Sequence, residues 1–140
     1  MSIIVRVYAP VHPTEIGDKV KAAIANIIPV GLHNQDSGTP GVCGEGDIES
    51  LRKLHRFLRD AQILDTARNY LISGIDGNMT RFRLNKQVAY VGKVNFPAGE
   101  ESLGSIYVEI SAIDHEELLK IIDWLAPETV DGEPVMEIEL

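Results

Sequence analysis

Cysteine is almost missing from this chain: Cys43 stands alone, which excludes an intramolecular disulfide and any cysteine-based zinc cluster. Long apolar runs are missing too. No stretch approaches the ~18 consecutive apolar residues of a membrane span, and residues 1–6 alternate like a strand instead of forming a signal peptide. A cytoplasmic protein with no membrane insertion is expected. Aromatics are scarce at 6%, and Tyr8, Tyr70, Tyr90 and Tyr107 fall in no RRM-like signature, so each is assigned to packing with its hydroxyl at the surface. Positive charge is also short. Thirteen Lys and Arg against 21 Asp and Glu leave a net charge of −8, so the whole-molecule field repels polyanions.

That average conceals an asymmetry. Residues 52–93 hold nine Lys or Arg against three Asp, a local balance of plus 6, while four bases against eighteen acids elsewhere leave minus 14. The 140 residues, 44% of them hydrophobic, suit a single domain spanning 1–140 with its own core.

Period-two alternation over residues 3–9 predicts a strand, with Val5 and Val7 on one side and Ile4, Arg6 and Tyr8 on the other. Val20, Ala23, Ile24 and Ile27 recur at helical spacing, and Pro29 ends that helix. A short strand follows at 30–33. Residues 34–46, rich in Gly and without hydrophobic period, read as a flexible loop, and Glu45 and Asp47 argue against a phosphate loop there. Asp47 caps a helix buried through Ile48, Leu51, Leu54 and Leu58, and Asp65 caps a second that buries Ala67 and Leu71. After the turn Asp76-Gly77-Asn78, three β runs are expected: one with Phe82 and Leu84 inward and Arg81 and Arg83 outward, one at 88–96 with a bulge at Gly92, and one at 105–111. Asp114 and Glu117 form a capping box for the last helix, and residues 135–140 alternate as an edge strand. The element order predicts an α+β fold, a mainly antiparallel sheet with helices packed on one face.

Arg52, Arg56 and Arg59 share one helix side, and guanidinium forks suit phosphate. Arg81, Arg83, Lys86 and Lys93 follow in the same basic third, with Asn85 and Gln87 adding neutral hydrogen-bonding groups. Taken singly, these are a solvated helix face and a β connection; their concentration in an acidic chain points to an RNA surface. His12, His33, Cys43 and His55 lack ligand spacing, and Asp114, Glu116 and Glu117 are explained as helix-start acids, so no metal, cofactor or catalytic residue is expected.

The segment Leu84-Asn85-Lys86-Gln87-Val88-Ala89-Tyr90-Val91-Gly92-Lys93-Val94, with Gln62-Ile63-Leu64-Asp65-Thr66-Ala67-Arg68 before it and Trp124-Leu125-Ala126-Pro127 after it, resembles the archaeal uncharacterised protein family 0201. His12-Pro13-Thr14-Glu15 and Leu103-Gly104 with Ile106 also fit, so the similarity runs over about residues 3–135. The resemblance implies an α+β fold similar to that of the fifth large-subunit ribosomal protein and a predicted RNA-binding role, with no catalytic residues to carry over. The expected function is noncatalytic RNA binding through Arg52, Arg56, Arg59, Arg81, Arg83, Asn85, Lys86, Gln87 and Lys93. The alternative is a protein-interaction or assembly subunit, a homodimer whose basic middle meets an acidic flank of its partner. No small-molecule substrate is indicated.

Overall fold

The computed structural model describes residues 2–35, 38, 40–97, 99 and 104–140. The chain runs β1 (Ile4–Pro10), α1 (Gly17–Ile27), β2 (Gly31–Gln35), β3 (Gly41–Gly46), a 3₁₀ turn (Ile48–Leu51), α2 (Arg52–Asp60), α3 (Leu64–Ser73), β4 (Ile75–Asp76), β5 (Met79–Leu84), α4 (Lys86–Ala89), β6 (Ile106–Ser111) and α5 (His115–Leu125). A two-stranded ribbon of β7 (Thr129–Val130) and β8 (Glu133–Pro134) follows. The first six strands form one antiparallel sheet in the order β2-β3-β1-β6-β5-β4. The fold is α+β with helices on one face, as the element order predicts.

Period two decides which face is covered. Val5, Val7 and Ala9 of β1, Ile106, Val108 and Ile110 of β6, and Phe82 and Leu84 of β5 are buried. They share one core with Val20, Ala23, Ile24 and Ile27 of α1, Leu54 and Leu58 of α2, Ala67 and Leu71 of α3, and Leu118, Ile121, Ile122 and Leu125 of α5. These helical residues are the ones picked out by 3.6-residue spacing, because a helix on a sheet can bury only one stripe. Caps set the starts. Asp47 Oδ1 accepts from the Glu49 amide at 3.0 Å and Asp114 Oδ1 from the Glu117 amide at 2.8 Å. Asp65 is not a cap: Ile63 holds that position and Asp65 sits in the first turn of α3, bonded to the Thr129 hydroxyl.

Three expectations are corrected. Within 34–46, Gly41–Gly46 is β3, an interior strand between β1 and β2, not a flexible loop; Asp36, Ser37 and Thr39 lie outside the described residues. Its glycines mark close approach: a Cβ on Gly44 would stand 2.5 Å from the Gly31 carbonyl oxygen. Residues 88–96 are not a strand. Asn85 Oδ1 accepts from the amides of Gln87 at 2.9 Å and Val88 at 3.1 Å, starting α4, and Gly92 at φ 72° lets the chain close back, with the Lys93 amide donating to the Val88 carbonyl at 3.0 Å. The tail 135–140 pairs with no strand, since the chain reverses earlier at Asp131 and Gly132 to form the β7–β8 ribbon. Among the described residues no helix is long and apolar enough to cross a membrane.

Candidate nucleic-acid interface

Alternation that buries Val5, Val7, Val108 and Phe82 turns their neighbours to the outer face, and the antiparallel register aligns those neighbours in rows across the strands. In one row Glu45, Arg6, Glu109 and Arg81 are register partners on β3, β1, β6 and β5. Their signs alternate. Arg6 donates from Nε to Glu45 Oε2 at 3.2 Å and from Nη1 to Glu109 Oε2 at 3.1 Å, and Arg81 Nε donates to Glu109 Oε1 at 3.0 Å. Partial burial alone would raise the Glu109 carboxyl, but the hydrogen bonds from Arg81 and Arg6 outweigh it and hold the group below its ordinary range.

The adjacent row is His33, Cys43, Tyr8, Tyr107 and Arg83. Cys43 Sγ lies 3.2 Å from His33 Nε2, the Tyr8 and Tyr107 rings are 6.1 Å apart at a tilt of 35°, and Arg83 Nη1 donates to the Gly99 carbonyl at 3.3 Å. Beyond β5, Tyr70 stacks on Phe96 at 4.9 Å with the planes 6° apart. The side chains of both rows line a recess of about 730 Å³ together with Tyr70. Three arginines and two glutamates line it, so the recess itself is locally positive in a chain of net charge −8.

The nine residues expected to bind RNA do not converge. Arg52, Arg56 and Arg59 stand on α2 in the helical layer, whereas Arg81 and Arg83 lie on the outer face of the sheet. Arg52 is paired with Glu49 at 2.6 and 3.0 Å, which draws the Glu49 carboxyl down through that hydrogen bond, and its guanidinium sits 5.9 Å from the Trp124 ring centre. Arg59 is more firmly held. With a side chain only 18% exposed, it donates to Glu137 at 2.8 and 2.6 Å and to the carbonyls of His55, Leu125 and Trp124. Beside it His55 stacks on Trp124 at 4.6 Å, and burial, then Arg59, pushes its imidazole below the usual value. Arg56 is exposed, with its guanidinium 5.8 Å from the Phe57 ring.

The three members of the Asn85-Lys86-Gln87 segment are placed differently. Asn85 spends its side-chain oxygen on the α4 cap. Lys86 is fully buried and cannot reach a phosphate: its Nζ donates to Glu15 Oε1 at 2.9 Å and to the Pro10 carbonyl at 2.8 Å. The Tyr90 hydroxyl donates to the other Glu15 oxygen at 3.4 Å, and burial together with the Glu15 charge raises the phenol. Gln87 and Lys93 are exposed, away from both rows. Conversely, Arg6, Tyr8 and Tyr107 line the recess on the outer face, although the sequence assigns the two tyrosines to packing and gives Arg6 no role. Alternation does reveal Arg6 and Tyr8 as outward, but nothing along the chain indicates that they stand opposite Glu109 and Tyr107.

A protein-family model described as RNA binding matches residues 4–112, which contain all six strands of the main sheet. A UPF0201 protein of Methanopyrus kandleri is 39% identical, with 92% of this chain and 87% of that protein covered. Another, of Methanocaldococcus jannaschii, is 43% identical over 100% of this chain and 81% of its own length. The crystal structure of a UPF0201 protein from Methanococcus jannaschii superposes with a TM-score of 0.82 at 40% identity, covering 95% of this chain and 99% of that one.

Proposed function

This chain belongs to the UPF0201 family, and from that premise we propose that it is a noncatalytic RNA-binding protein that meets RNA with the outer face of its sheet. The observation that carries the reading is the joint placement of Arg6, Arg81 and Arg83 with Tyr8 and Tyr107 on one exposed surface, within the segment matched by the RNA-binding family model. Arginine supplies forked donors for phosphate oxygens, and tyrosine supplies flat apolar area with a polar tip.

The ion pairs on this face do not obstruct that role. The Arg6–Glu45 pair is exposed on both sides, at 49% and 59%, and solvated pairs of this kind contribute only about 0–1 kcal/mol, so a phosphate can take over that bond at little cost; Glu109, 23% exposed, is shared by Arg6 and Arg81 and keeps one of them when the other turns to a phosphate. Arg59 on α2 is the opposite case, since displacing it strands several half-buried carbonyls.

Filter binding tests the reading. Replacing Arg81 and Arg83 together by Ala is expected to remove most RNA retention, while Arg52→Ala with Arg56→Ala leaves it close to the parent value. Equal loss from both pairs, or loss only from the α2 pair, would move the interface off the sheet.

A further inference from the structure

We infer that the outer face takes an unpaired nucleotide, with its base laid on Tyr107 and Tyr8 and its phosphate at Arg83, so that the protein selects single-stranded or looped RNA over duplex. This deepens the RNA-binding reading and rests on it. The recess of about 730 Å³ is an open hollow on the sheet face, large enough for one nucleotide. Its floor is aromatic. Tyr8 and Tyr107 are 6.1 Å apart at a 35° tilt, so the rings lie side by side and neither covers the other; Tyr107 is 38% exposed.

Such a floor can be used only by a base whose face is free. In duplex RNA the base faces are taken up by their own stack and the major groove is deep and narrow, so rings on the face of a sheet meet no free face of a paired base. Tyr70, itself stacked on Phe96, also lines that recess and offers a further ring beside it.

Charge points the same way. Glu45 and Glu109 interrupt the arginine row, and Glu109 is held ionised by its two arginine partners. Both carboxylates offer acceptors to exocyclic amines of an exposed base edge. A single strand can direct its one backbone to the Arg83 end and turn its base toward the tyrosines.

Fluorescence anisotropy decides between these outcomes, using a labelled mixed-sequence RNA of roughly 12 nucleotides, alone and annealed to its complement. The single strand is expected to bind about tenfold tighter or more. Tyr8→Ala and Tyr107→Ala should each weaken it by about tenfold and leave duplex binding unchanged, with Tyr107→Phe retaining affinity. Tyr107→Leu keeps the bulk without the ring and serves if the alanine variant fails to fold. Equal or tighter duplex binding, or full affinity in the Leu variant, overturns the inference. If duplex is bound in a manner that still needs Arg81 and Arg83, the RNA-binding reading stands and only the preference for unpaired bases falls. If neither RNA binds at low salt, both fall together.

Discussion

Lys86 carries a charge into the interior because Glu15 meets it there at 2.9 Å and the Pro10 carbonyl takes a second donor at 2.8 Å. A buried ion pair stabilises little against an apolar pair of the same volume, but removing one partner leaves an uncompensated charge in a medium that solvates it poorly. Lys86→Met is therefore expected to lower stability by about 3–5 kcal/mol in urea unfolding, with a good part recovered in the double variant Glu15→Leu with Lys86→Met. A single variant as stable as the parent would show that the pair is not the anchor of α4. This residue also illustrates a limit of reading side chains by type. Asn85, Lys86 and Gln87 look equivalent as polar neighbours, yet one caps a helix, one is buried and one is exposed.

Among the elements, β3 is the one whose sequence says least about its place. Four of its six residues are not apolar side chains, so no alternation announces it, and its glycines resemble those of a loop. They are tolerated inside a sheet because β2 and the chain before it press close: at Gly44 an added Cβ would meet the Gly31 carbonyl oxygen at 2.5 Å and Val30 and Leu32 at 2.9 Å. Gly44→Ala is expected to cost about 1–3 kcal/mol by overpacking, seen as a lowered melting temperature, whereas Gly31→Ala, where a Cβ finds open space, should melt close to the parent. The segment 88–96 errs in the other direction. Val88, Val91 and Val94 supply strand-like residues, but the Asn85 cap and the left-handed Gly92 are local signals that win, and a four-residue helix forms. By contrast β1, β5, β6, α1 and α5 were legible with their buried residues, because each shows an uninterrupted period and a clear stop.

For the whole molecule, a net charge of −8 and only three arginines on the outer face set how RNA affinity should respond to salt. Each phosphate contact to a single strand contributes about −0.7 to the slope of log K against log salt, so three give a slope of about −2. A titration yielding a slope near −5 would mean that the α2 cations join the interface and that the surface is larger than the sheet face. That distinction arises only in the assembled protein. By itself the sequence determined the periods of β1, β5, β6, α1, α2, α3 and α5, two of the caps, the α+β class and the basic character of the central third, since these depend on residues within a few positions of one another. Which cations are exposed, and that Arg6, Tyr8, Tyr107 and Arg81 form one surface, was decided by tertiary structure alone: Arg6 and its partner Glu109 are 103 residues apart, and only strand register brings them side by side. Packing made the same kind of decision in burying Lys86 against Glu15, 71 residues away, because burial is a property of what closes around a side chain and not of the side chain itself.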